Sequence, residues 1–378
     1  MLASSVNSTL TWKRRSLHNF RPLASYRYDT AIVGADKLID PPAAPRLRDL
    51  IRDEQLGYYL YEMAFTDLNG HNRHLTGVFG ILEISRDAPD SPLEVNPSGA
   101  AYQPDHILVH EQTISSGTNI AQDGSDTSIA RPGAGPIWAI SAQNRLRTSQ
   151  IRKESLLASV TDNQGVTHNV WHILDLDQQR RIESAVHESQ LIIADGHHRI
   201  ARAMKLLTTS LPGSTIRLLC FVTDLDPLQA EIRPIHRCFK TTLNSDEVLS
   251  RLRNHFEIKQ VDSNALSNAN VPDAALVLIG SSMYAVKPSH GGAKQNDAVT
   301  AQAIAKLLEA RSTQYITDAR KLRERVLADS NKIGLQIRPI TINQIRLAAF
   351  GKHPLPPKST MFYPKPLPGL IFGDKLNL

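Results

Sequence analysis

Leu191-Ile192-Ile193-Ala194 is an unbroken apolar run that stops at Asp195-Gly196, after which Ile200, Ala203, Met204 and Leu207 recur at helical spacing. The run reads as a buried strand, and apolar residues three and four apart read as one face of a helix over 198–207. The chain must therefore hold a strand that turns sharply into a helix, which points to a mixed α/β fold. Other segments repeat the alternation. Residues 58–64 and 76–84, on either side of the polar turn Asn69-Gly70-His71-Asn72, read as a strand pair. Residues 107–109, 137–140, 169–174 and 216–222 read as further strands, and 178–187 as a helix. Beyond 240 the pattern restarts. Ser245 is placed to cap a helix carrying Val248, Leu249, Leu252 and Phe256, residues 276–279 and 283–286 flank a Gly280-Ser281-Ser282 turn, and 298–310 reads as a helix.

This divides the 378 residues into a partly disordered N-terminal region (1–57), an α/β core (58–240), a second, smaller α/β domain (241–350) and a Pro-rich C-terminal segment (351–378). That last segment is too Pro-rich for a helix and is expected to run extended over the surface or a cleft. The loop 115–135, small, polar and glycine-rich, has a length usual for functional loops. A hydrophobic share of 41% and a charged share of 21% suit a soluble globular protein. The net charge of +6 arises from 43 basic residues interleaved with 37 acidic ones, so nucleic acid is not indicated as a partner; the densest basic run is Lys13-Arg14-Arg15. Cys220 and Cys238 lack C-x-x-C spacing, which argues against a disulfide framework or a zinc site. No stretch reaches the roughly 18 apolar residues of a membrane span, and the expected address is the cytoplasm.

A strand ending at Asp-Gly and opening into a helix leaves the first helical amides unpaired and aimed outward, where they attract anions. Gly196 permits the turn, and His197, His198 and Arg199 add donors where the helix dipole is positive. Arg199 is suited to hold a phosphate through two hydrogen bonds, each worth about 1.5–3 kcal/mol. Asp195 would repel a bare phosphate and suits a magnesium ligand or an orienting base; the plainer alternative is that Asp195 caps the helix. His110-Glu111 ends another strand, and Glu111 near a phosphate could take the proton from an attacking hydroxyl, or the pair could simply be solvated. Together His110, Glu111, Asp195, His197 and His198 could also form a metal-ligand set, although their spacing matches no compact zinc signature. Lys358, Ser359 and Thr360 follow two prolines on a stiff segment, either as a phosphate or carboxylate clamp or as a tail pinned to the surface. The chain has no G-x-x-x-x-G-K-[ST] loop, no G-x-G-x-x-G after a strand and no G-x-S-x-G elbow.

The ordered set Val109-His110-Glu111-Gln112-Thr113, Ile193-Ala194-Asp195-Gly196-His197-His198-Arg199, Arg233-Pro234-Ile235-His236-Arg237 and Pro357-Lys358-Ser359-Thr360 through Phe362-Tyr363-Pro364-Lys365 resembles the family called domain of unknown function 1015. More distantly it is similar to the ADP-dependent free-serine kinases, whose fold is related to sulfiredoxin and to the nucleotide-binding domain of chromosome-partitioning proteins. The resemblance implies a nucleotide-binding core of that fold beside the second domain. It also implies Glu111 as catalytic base with Asp195 beside it, Gly196, His197, His198, Arg199, Lys358, Ser359 and Thr360 on the phosphates, and His110, Thr113, His236 and Arg237 on the substrate. The expected function is a phosphotransferase that moves a phosphoryl group between ADP or ATP and a hydroxylated metabolite such as serine, with Mg2+ as cofactor. A metal-dependent phosphatase and a non-catalytic nucleotide-binding module are the alternatives.

Overall fold

The computed structural model describes residues 18–31, 38, 47–86, 107–110, 135–211, 213–226, 228–262, 274–289, 297–351 and 355–373. Lys13-Arg14-Arg15, Glu111, Thr113 and nearly all of the loop 115–135 lie outside them. Among the described residues the chain is mixed α/β, with two large sheets and six α-helices.

The larger sheet has nine strands. In order across it run Ile107–Val109, Leu191–Asp195, Ile137–Ser141, Thr215–Asp224, Asn72–Ser85, Tyr58–Thr66, Thr167–Ile173 and Ser155–Thr161. The long strand Asn72–Ser85 exists because its apolar alternation outlasts its hairpin partner. Tyr58–Thr66 pairs with residues as far as Phe79, and His18–Arg21 completes the same edge by pairing with 81–84. The N-terminal region therefore contributes a core strand, and Phe20 is fully buried. Phe20 lies across Gly80, where any Cβ would fall 2.5 Å from its ring.

Helices Leu176–His187 and His197–Thr209 cover one face of this sheet. Ile182, Val186, Ile200, Ala203, Met204 and Leu207 meet Ile137, Ala139, Leu191, Ile193 and Cys220, as the 3.6-residue pattern requires. The opposite face, with Trp138, Ile140, Ile192 and Phe221, is covered by Phe362, Leu367, Leu370, Ile371 and Phe372 and by Ile345 of helix Ile342–Phe350. The Pro-rich segment thus does more than run over the surface or a cleft: its apolar residues also cover one face of a core.

The second sheet has six antiparallel strands in the order Phe256–Val261, Ser282–Pro288, Ala275–Ile279, Lys332–Gln336, His236–Lys240 and Ser312–Ile316. Helices Ser245–Arg253 and Asp297–Leu307 pack on one face through Val248, Leu252 and Ile304, and Ala319–Leu327 packs on the other through Leu322 and Val326. His236–Lys240, placed in the first unit by the boundary at 240, pairs in this sheet, so the change of sheet falls between Asp224 and His236. The helix cap also moves by one residue: Asn244, with Glu247, forms the capping box and Ser245 is the first helical residue. Strand Glu231–Arg233 pairs with Met361–Tyr363 where the chain passes from one sheet to the other. Among the described residues no helix is long and apolar enough to cross a membrane.

Because Leu370 is fully buried, Leu370→Ala is expected to lower unfolding free energy by about 2–5 kcal/mol. Leu347→Ala, at a position 73% exposed, should stay within about 0.5 kcal/mol, both read by urea denaturation. Equal effects would contradict this placement of the C-terminal segment.

Candidate functional site

Two motif-bearing strands end side by side. Ile107–Val109 runs parallel to Leu191–Ile193 with Val109 opposite Ile193, so His110 emerges beside Ala194 and Asp195 at the carboxyl edge of both strands. The neighbouring Ile137–Ser141 runs the other way and starts at this edge. Its pairing with Leu191–Asp195 slips between Ile193 and Asp195, leaving Ala194 as an extra residue. Such a bulge re-aims the residues after it. Gly196 follows with φ 92°, which strains any other residue, and a Cβ there would lie 2.6 Å from Ile137 Cδ1, so that side chain would have to move as well. Gly196 is also the residue that caps helix His197–Thr209, and no side chain caps it. Asp195 is therefore not the helix cap.

The C-terminal segment closes the far side. The Leu355 amide donates to the His110 carbonyl at 2.7 Å, and His110 Nε2 lies 3.0 Å from Thr360 Oγ1. Lys358 sits in the left-handed region at φ 60°, an uncommon conformation for a non-glycine residue. Its carbonyl accepts from Arg237 at 2.7 Å, and Ser359 Oγ donates to Pro356 O at 2.5 Å, so the turn is held from two sides. Lys365 Nζ lies 2.9 Å from Asp195 Oδ1. Residues 194–199, Ile235, Lys358, Thr360, Met361 and Lys365 enclose a cavity of about 370 Å³.

His110 is fully buried with its ring 4.9 Å from that of His197, edge to face. Burial, reinforced by the neighbouring His197 and opposed by the Ile193 carbonyl, pulls its pKa down to about 3, so the ring is neutral at physiological pH. Arg199 is turned inward and donates to the carbonyls of Gly135 and, at 2.8 Å, Pro136. Burial lowers its pKa, with Asp195 acting against the shift.

The family described as Protein of unknown function (DUF1015) matches residues 47–309, well over half of the chain. The chain belongs to this family. Among solved structures, this DUF1015 chain is similar to a mutant free serine kinase in complex with ADP, at 18% identity over 72% of this chain and 90% of that one, with a TM-score of 0.39. It is also similar to free serine kinase in complex with AMP, at 18% identity, 72% and 89% coverage and a TM-score of 0.38. A third is SbnI with C-terminal truncation from Staphylococcus aureus, at 9% identity, 71% and 84% coverage and a TM-score of 0.38. No curated protein matched the sequence.

In the DUF1015 chain the cavity brings together Asp195, Gly196, His197, His198, Arg199, Lys358 and Thr360, and His110 touches its Thr360 wall. Three expected site residues do other work. Ser359 is 1% exposed, donates within its own turn and does not line the cavity as its neighbours Lys358 and Thr360 do. His236 is buried in the six-stranded sheet, where Nδ1 accepts from the Ile337 amide at 3.2 Å. Arg237 is buried with its guanidinium on the Ile235 and Lys358 carbonyls, so it holds the Lys358 turn from behind. Arg199 lines the cavity, yet its two named bonds go to backbone rather than outward. Lys365, the last residue of the Phe362-Tyr363-Pro364-Lys365 motif, is a further site residue, and its place in that motif is the signal the sequence carries for it. Glu111 and Thr113 lie outside the described residues. Among the described residues no group of three or more His, Cys, Asp or Glu side chains is placed to hold a metal. Asp195, the residue considered for magnesium, already faces an ammonium.

Two outcomes follow. Gly196→Ala should destabilise the chain by more than about 1 kcal/mol in chemical denaturation, since both φ and the Ile137 contact oppose it; an unchanged midpoint would refute the tight turn. The folded pKa of His110 lies below the ordinary 6.5, as does that of His236, which burial first and then Arg237 bring to about 4. On acidification the unfolded chain takes up these protons first, so the stability they contribute is present above pH 6.5 and lost as the pH falls toward 3–4. Each imposes a slope of up to about 1.4 kcal/mol per pH unit. His110→Gln is expected to flatten the decline measured between pH 6 and 4 by roughly one such share, and identical slopes in both proteins would rule out the buried neutral ring.

Proposed function

We propose that this chain is a phosphotransferase that moves a phosphoryl group between a nucleotide, ADP or ATP, and a small hydroxylated metabolite of the serine type. The observation that carries the proposal is the cavity beside His110. A helix N-terminus with no side-chain cap opens into it, and Lys358 and Lys365 line it as well. Amides at a helix start and converging cations favour anionic oxygens, the charge pattern of phosphoryl groups. The resemblance of the ordered motifs to the free-serine kinases agrees with this pattern.

In this reading the phosphates sit on the amides of His197 and His198, with Lys358 and Lys365 neutralising the equatorial oxygens. Asp195 holds Lys365 in place until the anion arrives. His110, kept neutral by burial, adds no positive charge and fixes Thr360 at the rim. The acceptor hydroxyl attacks phosphorus, its O–P bond forms as the bond to the nucleotide's leaving oxygen breaks, and the hydroxyl proton passes to Glu111, which follows His110 by one residue. Arg199 buttresses the cradle from behind through the Gly135 and Pro136 carbonyls.

The test is to incubate purified protein with serine, magnesium and either ADP or ATP, and to follow AMP, ADP and O-phosphoserine. Turnover is expected with one nucleotide, and Glu111→Gln should lower it by about 100-fold or more while nucleotide binding persists. Binding without turnover in the wild type would favour the non-catalytic module, and phosphate release from a phosphorylated metabolite with no nucleotide present would favour the phosphatase.

A further inference from the structure

A second cavity of about 290 Å³ adjoins the first. The two share Asp195, Met361 and Lys365, so the Asp195–Lys365 ion pair stands where they meet. Their linings differ in kind. The first presents amides, imidazoles and ammoniums, whereas the second is walled by Trp138, Val166, Tyr363, Pro366, Leu367 and Pro368, with the exposed amide of Gln164 at its edge. A phosphate has no reason to enter such a space. A flat, mostly apolar ring with a few edge donors and acceptors does, since apolar walls with one or two polar groups at the rim are the usual surroundings of such a ligand. Each chamber alone sits near the low end of the roughly 300–1,000 Å³ typical of small-molecule sites, and the pair falls within that range.

The chamber is also built in advance. Two of its walls are the turn 162–166 and the C-terminal segment 364–368, which are far apart in sequence and are tied by one chain of hydrogen bonds that is buried at Tyr61 and reaches the surface at Gln164. The Leu367 amide donates to Tyr61 Oη at 3.0 Å, and Tyr61 Oη lies 3.0 Å from His168 Nδ1. His168 Nε2 lies 3.3 Å from Asp162 Oδ2, while Asp162 Oδ1 accepts from the amides of Gln164 at 2.8 Å and Val166 at 2.9 Å. Tyr61 accepts from Leu367, so its own hydroxyl proton goes to Nδ1, and the ring proton on Nε2 goes to Asp162. Burial lowers the His168 pKa against the pull of Asp162, in keeping with a neutral ring that can accept at one nitrogen and donate at the other. Every member of the chain is committed, which leaves the wall spacing fixed and the Gln164 side chain at the rim.

We infer that this second chamber takes the nucleobase end of the nucleotide whose phosphates occupy the first, with Gln164 reading the ring edge. The assignment rests on the phosphate cradle proposed above. Gly135 supplies the means to test it. Its backbone is outside the left-handed region, and among the described residues a Cβ there would meet only Pro368 Cγ, at 3.9 Å, so a larger side chain is added at the chamber's lining without backbone strain. The Gly135 carbonyl that Arg199 uses is retained by any substitution.

Calorimetric titration of the full chain with ADP and with inorganic pyrophosphate separates the two chambers. ADP should bind on the order of 10- to 100-fold more tightly than pyrophosphate, the gain expected from sequestering one base. Gly135→Leu should weaken ADP by about tenfold or more and leave pyrophosphate within about twofold. If pyrophosphate binds but ADP is no tighter in the wild type, or if a folded Gly135→Leu loses both alike or neither, the second chamber is not the base site and the phosphate cradle stands. If neither probe binds the wild type, both readings fall. Should Gly135→Leu not fold, the wild-type contrast decides alone.

Discussion

The parallel ladder between Ile107–Val109 and Leu191–Ile193 is the contact on which the arrangement depends. Register in a sheet is discrete, and a slip of one residue reverses which face each side chain occupies. With Val109 opposite Ile193, the end of one strand presents His110 at the level where the other releases its bulge, its glycine and then the helix. The two ends lie at the carboxyl edge of parallel strands, the place where open α/β sheets leave a crevice. The antiparallel strand Ile137–Ser141 begins at the same edge, so its leading carbonyls are there to receive Arg199.

Charge at the crevice is sorted by burial. The buried groups are either neutral, as His110 is, or bonded to backbone carbonyls, as Arg199 and Arg237 are. The exposed charges, Lys358, Lys365 and Asp195, remain adjustable. Side-chain exposures of 52% and 41% make the Lys365–Asp195 pair a solvent-accessible one, whose net worth is about 0–1 kcal/mol. A pair that weak holds the ammonium in position and yields it readily to an incoming anion of higher charge.

Local patterns in the sequence were enough to locate the strand-turn-helix unit, the first hairpin and both helices on the larger sheet, because apolar periodicity is a local property. The shortfalls have identifiable causes. His18–Arg21 is short, with Phe20 as its one apolar residue, and its identity as a strand depends on the edge of a partner more than fifty residues away. Helix Ala319–Leu327 carries so many Arg and Lys residues that the Leu322/Val326 stripe is masked. At the site, the DUF1015 motifs marked the right turns, but not which way each side chain faces. The bulge at Ala194 and the inward turn of Arg199 are decided by tertiary neighbours at Trp138 and Gly135, and the Ser359 hydroxyl is taken up by the Pro356 carbonyl of its own turn. His236 and Arg237 stand in a motif that crosses between the sheets, and a strand buried on both faces needs its polar side chains satisfied internally.

The segment 355–373 couples two properties that other parts of the molecule keep separate. It covers one face of the larger sheet's core and also lines both cavities, so a change that loosens its packing against Trp138, Ile140 and Phe221 alters folding stability and the shape of the crevice at once. Detaching the segment uncovers those three side chains together, and a contiguous apolar patch of that kind invites aggregation.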